Sequence, residues 1–121
     1  MTETPGPGRY DLEDRTFELA RRVRAFVKTL PRTICNIEDV KQVARSSGSI
    51  GANYIEANEA LSTKDFRMRL RISRKESKET RYWLRLLDTQ GDAALKTERD
   101  ALVQESTELL RILSAILQKA G

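Results

Sequence analysis

Leu12, Thr16, Leu19, Val23, Phe26 and Leu30 recur at spacings of four, three, four, three and four residues. That rhythm places all six on one side of an α-helix and alternates too slowly for a half-buried strand. It returns three more times along the chain. The segment 37–61 carries Ile37, Val40, Ala44, Ser47, Gly51, Tyr54, Asn58 and Leu61 in helical steps, with Val43 and Ile50 widening the stripe. The next carries Phe66, Leu70, Ser73, Ser77, Thr80, Leu84 and Leu87, flanked by Ile72, Trp83 and Leu86. The last, 93–119, gathers Leu95, Leu102, Leu109, Leu113 and Ile116 with Val103, Leu110, Ile112 and Leu117. Helix-stopping residues fall between these stripes. Asp11 is expected to cap the first helix, which runs to Leu30 before Pro31; Asn36 caps the second, Ser62 or Thr63 the third, and Gln90-Gly91 ends the third. Four helices joined by short connectors pack as antiparallel neighbours, so the fold class is all-α, an up-and-down four-helix bundle over residues 11–121.

A chain of 121 residues buries roughly two-thirds of its unfolded surface, enough for one core without disulfide or metal. No apolar run approaches the ~20 residues that span a bilayer, so no membrane partner is expected. Residues 1–8 read MTETPGPG, with an acid and helix breakers where a signal peptide carries a basic and then an apolar stretch. Residues 1–10 are expected to form a disordered tail, and the single cysteine, Cys35, suits a reducing, cytoplasmic setting. Beside Ile34 and Ile37, Cys35 reads as a small apolar residue.

The sequence contains no histidine. Ser-His-Asp and Cys-His catalysis, the usual zinc sites and the Glu-x-x-His pairs of di-iron bundles all require one, so no enzyme activity, metal or cofactor is expected. Gly48-Ser-Ile-Gly-Ala-Asn53 has a faint look of a phosphate loop but lacks the following Lys-Ser/Thr and a preceding strand. Its small residues, with Ala44 and Ser47, instead leave a groove where a neighbouring helix can approach closely.

Charge is concentrated in the third helix. Residues 64–85 hold nine Lys or Arg against three acids, an excess of six positive charges, whereas the whole chain carries +4. Arg67, Arg71, Arg74, Lys78, Arg81 and Arg85 follow the steps four, three, four, three and four. They form one ridge about 27 Å long at 1.5 Å per residue. Such a ridge can meet successive phosphates of RNA or DNA, with Tyr82 on its flank stacking on a base. Equally, it can face acids of another helix or subunit, as part of a protein-interaction scaffold. Glu76, Glu79 and Arg69 project from the other side of this helix, towards Ile72, Trp83 and Leu87. Two carboxylates one turn apart can serve as metal ligands or as an acid and base, but without histidine a polar network within or between subunits is the preferred reading.

Residues 42–56, QVARSSGSIGANYIE, place Ser49 and Ile50, then Asn53, then Glu56 at three-residue steps; residues 66–87 hold Lys75-Glu76, Glu79 and Tyr82-Trp83-Leu84-Arg85-Leu86-Leu87. In these blocks the chain resembles the bacterial four-helix-bundle family related to proteins encoded by intervening sequences in 23S rRNA genes. The resemblance implies an antiparallel bundle that assembles into a ring-like homo-oligomer, a pentamer above other forms. One branch is similar to the accessory protein of diversity-generating retroelements, which implies nucleic acid and a reverse transcriptase as partners. Acids Glu98, Asp100, Glu105 and Glu108 make the fourth helix locally acidic, which weakens that carry-over. Asn53 and Glu56 point away from the second helix's core stripe and can bond across a subunit boundary, Glu56 to an arginine of the ridge. Small residues on helix two, charges on the buried side of helix three and these two off-core residues together suggest one stave of a larger assembly.

Overall fold

The computed structural model describes residues 9–120, with side chains from Leu12 onward. Four helices follow in order: α1 Arg9–Val27, α2 Ile34–Asn58, α3 Thr63–Leu86 and α4 Ala93–Lys119. Each packs on its sequence neighbour, α2 against α3 most extensively, and α4 closes the cycle on α1. Cross-helix partners run in opposing numerical order, which makes the bundle antiparallel. Arg15 meets Glu105 while Arg22 meets Glu98; Arg45 meets Glu76 while Asn53 meets Arg69; Arg67 meets Leu117 while Leu87 meets Arg99.

The apolar stripes supply the core. All six positions of the first stripe, Leu12 to Leu30, are buried, as are Leu70, Ser73, Ser77, Thr80 and Leu84 of α3 and Leu102, Leu109, Leu113 and Leu117 of α4. Between α2 and α3 the contact is polar and close. Ser73 donates to the Ile50 carbonyl at 2.8 Å and Thr80 to Ser46 Oγ at 2.8 Å. These hydroxyls occupy little volume and leave no unsatisfied donor, so their hydrogen bonds offset the cost of desolvation as the two helices approach. Among the described residues, every buried side-chain nitrogen and oxygen has a partner.

Several boundaries differ from the sequence reading. Helix α1 is already helical at Arg9, so Asp11 lies inside it. It gives way after Val27 to tight turns in which Thr29 donates to the Phe26 carbonyl at 3.0 Å, yet Leu30 still reaches the core. Thr33, not Asn36, caps α2, accepting from the Asn36 amide at 3.0 Å. The Asn36 side chain is thereby free for another task. Its Nδ2 donates to the carbonyls of Pro31 and Asp88, and its Oδ1 accepts from the Asp88 amide, all at 2.9 Å. One buried amide thus ties the α1–α2 connector to the segment after α3. That segment starts at Leu87, earlier than Gln90-Gly91, and turns through positive φ at Gln90 and Gly91. Because α2 stops at Asn58, Leu61 leaves the helical stripe and is 99% exposed. In the first turn of α2 Asn36 is buried, whereas Cys35 is exposed beside the likewise exposed Ile34 and does not pack in the apolar environment expected of it. Ser62 caps α3 and Asp92 caps α4. Residues 1–8 of the expected tail lie outside the described residues. Among the described residues, no helix is long and apolar enough to cross a membrane.

Candidate nucleic-acid interface

Helix α3 buries Leu70, Ser73, Ser77, Thr80 and Leu84, and this fixes where its charges go. On one flank stand Arg67, Arg71, Arg74, Lys78, Arg81 and Arg85. Arg71, Lys78 and Arg85 are exposed and the other three half-buried. Among the described residues none of the six forms an ion pair. Of the six, Arg67 alone makes a hydrogen bond to a described residue, donating to the Leu117 carbonyl at 2.8 Å. That carbonyl lies in the last turn of α4, where backbone acceptors lack helical partners, so a guanidinium there is favourable. Tyr82 is 56% exposed and sits edge-on to Trp83, with ring centroids 5.1 Å apart and planes at 80°. The phenol therefore presents an accessible face near Arg81 and Arg85.

The acids of α4 do not neutralise this flank, because α1 and α4 itself engage them. Arg15 makes a forked contact with Glu105 at 2.8 and 3.0 Å and reaches Glu108 at 3.3 Å. Arg22 meets Glu98 at 3.2 Å, and Asp100 holds Lys96 at 2.8 Å and Arg99 at 3.3 Å. The Gln104 amide, and then Arg15, hold the Glu108 carboxyl below the ordinary carboxylate range despite the opposing cost of desolvation. Lys96 and Arg99 do the same for Asp100. These two carboxylates carry their charge at neutral pH, Glu108 beside Arg15 of α1 and Asp100 beside Lys96 and Arg99 of its own helix.

On the opposite flank of α3 the polar side chains find partners within the chain. Arg69 donates to Asn53 Oδ1 at 3.1 Å, while Asn53 Nδ2 donates to the Ser49 carbonyl at 2.9 Å. Arg45 reaches both Glu76, at 3.2 Å, and Glu79, at 3.3 Å, and Lys75 approaches Glu79 at 3.9 Å. Asn53, Arg69, Glu76 and Glu79 thus find partners in one polar seam between α2 and α3, and none of the four requires a second subunit. Glu56 is exposed and stands outside that seam. Arg45 is the member that sequence reasoning missed. Its signal was present, since Arg45, Ser49 and Asn53 follow one another at four-residue steps on one side of α2. Among the described residues no group of acids and cysteines is arranged to hold a metal ion.

Between α1 and α2 lies an apolar groove of about 410 Å³, bordered by Phe17, Ala20, Gly48, Ala52 and Ile55. Phe17 is 69% exposed on its rim. A second, smaller cleft of about 290 Å³ lies on the basic flank between α3 and the end of α4.

A solved structure from Bacteroides thetaiotaomicron VPI-5482, described as a protein with unknown function from the S23 ribosomal protein family, is similar over 91% of this chain and 97% of its own. The TM-score is 0.76 and the sequence identity 32%. Comparison with curated proteins returns no match. Residues 10–115 match the family model described as 23S rRNA-intervening sequence protein. The chain therefore belongs to the 23S rRNA-intervening sequence protein family.

Proposed function

We propose that this bundle is a non-enzymatic, cytoplasmic binding module for RNA or DNA, engaging phosphates along the α3 ridge. One observation carries the reading: six cations aligned on a single helix flank, none ion-paired among the described residues, while the acids of α4 are drawn to α1 and to their own helix. Six like charges in a row repel one another by a few tenths of a kcal/mol per neighbouring pair, a cost that a polyanion relieves. Tyr82 adds an accessible ring for base stacking. A ribosomal family assignment of the solved neighbour fits an RNA ligand. The test is a fluorescence-anisotropy titration with a structured RNA and a duplex DNA at low and moderate salt. Binding that weakens with salt, and weakens further in Arg71→Glu plus Lys78→Glu, is the expected result; absence of salt-dependent binding overturns the reading.

The apolar groove favours a second reading, a scaffold that assembles into a ring-like homo-oligomer through protein contacts. An aromatic ring as exposed as Phe17, beside Ile55 and a floor of small residues, resembles the anchor and pocket of an interface more than an ordinary surface. Light scattering at micromolar concentration is expected to give a multiple of the 13.8 kDa chain, reduced to the single chain by Phe17→Glu. A strictly monomeric wild type contradicts it. If the ridge is covered in that assembly, the nucleic-acid reading loses its surface.

A further inference from the structure

The smaller cleft, where the ridge meets the end of α4, differs in character from the rest of the ridge. It is lined by Arg67, Arg71 and Arg74 from α3 and by Ser114, Leu117 and Gln118 from α4. We infer that this cleft is a specific seat for a phosphate group, holding its oxygens between the guanidiniums of Arg71 and Arg74, with the Ser114 hydroxyl and Gln118 amide completing the contacts.

Four features support the assignment. First, the spacing four then three turns three guanidiniums towards one small volume, and the planar fork of arginine suits the oxygens of a phosphate better than a lysine's point charge does. Second, the donors are available. Arg67 uses its Nη1 on the Leu117 carbonyl, while Arg71 and Arg74 make no hydrogen bond or ion pair among the described residues. Third, the Arg67 contact occupies a backbone acceptor that would otherwise oppose an anion at the end of α4. Fourth, among the described residues no carboxylate lines the cleft. On α3, Asp65 lies on the far side of the first turn by helical spacing, and Glu76 and Glu79 face Arg45. On α4, Glu105 and Glu108 are engaged by Arg15. Arg111, three residues before Ser114, stands outside the lining, and its charge acts on Glu108.

The seat deepens the ridge reading and rests on it for the source of the phosphate. Within that reading it is the anchoring point, and Lys78, Arg81 and Arg85 extend the contact as general electrostatic attraction. The two differ in one checkable respect: attraction depends on charge, whereas a fork-shaped seat depends on the guanidinium.

Isothermal titration of the whole protein with inorganic pyrophosphate at moderate salt tests the seat. One saturable site per chain is expected. The double change Arg71→Lys plus Arg74→Lys, which keeps every charge, is expected to weaken it about tenfold or more, while Arg81→Lys plus Arg85→Lys leaves it unchanged. Neither pair includes a residue that holds the fold together, and circular dichroism verifies that the helices persist. A parallel titration with a short single-stranded oligonucleotide, with and without a 5′-phosphate, separates a terminal phosphate from an internal one: tighter binding of the phosphorylated form assigns the seat to chain ends, equal binding to the backbone. Absence of saturation by pyrophosphate, or equal losses in the two lysine pairs, overturns the seat even if nucleic acid binds. Saturable, arginine-dependent pyrophosphate binding without any nucleic-acid binding leaves the seat standing and overturns the ridge reading.

Discussion

At Gly51 the backbone of α2 meets Thr16 of α1 with no room for a methyl group. A Cβ built there would lie 2.7 Å from Thr16 Oγ1 and 3.1 Å from its Cβ. The Thr16 hydroxyl is itself held, donating to the Leu12 carbonyl at 2.7 Å, so it cannot simply turn aside. Gly51→Ala is therefore expected to destabilise the protein by about 1–3 kcal/mol in urea unfolding, the usual cost of overpacking. Gly48→Ala offers the contrast. Its Cβ would meet only the guanidinium of the exposed Arg24, at 3.2 Å, which can move. There the gain in helix propensity of up to ~1 kcal/mol should leave stability unchanged or raised. The close approach was legible as a run of small residues on α2. Which helix approaches was not, because the same run serves both neighbours: Gly48 and Gly51 face α1, whereas Ser46 and the Ile50 carbonyl face α3.

Between elements, the α2–α3 seam depends on an asymmetric ion pair. The Glu76 side chain is only 8% exposed, while Arg45, which reaches it, is 52% exposed. Removing the arginine strands a nearly buried carboxylate. Breaking a fully buried pair costs 3–5 kcal/mol and an exposed one under 1, so Arg45→Ala is expected to lose about 1–3 kcal/mol. Adding Glu76→Gln to that variant should restore part of the loss; unfolding curves of the two variants and wild type measure both effects. That Glu76 needed a partner followed from its place on the semi-buried half of α3. Its identity was harder to read, because the four-residue steps of Arg45, Ser49 and Asn53 place them on one side of α2 without saying which residues of α3 that side meets. Helix ends were hidden for a related reason. Two residues that can both cap compete, and Asn36 yielded the cap to Thr33 because its amide bridges Pro31 and Asp88, a contact 52 residues distant along the chain. Leu61 left the core when α2 stopped a turn early.

For the whole molecule, four periodic stripes with short connectors leave little choice but an antiparallel bundle, and the fold was readable from them. The ridge was readable too, because its residues share the period of the helix that carries them. What only the structure supplies is the destination of the opposing acids: α1 presents Arg15 and Arg22 to α4, so Glu98, Glu105 and Glu108 pair across the α1–α4 seam, while Asp100 is held within α4. The central claim is that binding belongs to this open ridge and not to a net charge of +4 spread over the surface. The most direct measurement compares the salt dependence of RNA affinity in two charge-matched variants. Arg71→Glu plus Lys78→Glu reverses ridge charges, and Lys28→Glu plus Lys41→Glu reverses exposed charges on α2 and just after α1. The ridge variant is expected to bind more weakly and to lower the slope of log affinity against log salt by about 2, with the other close to wild type. Equal losses in both variants, or an unchanged slope in the ridge variant, would contradict the account.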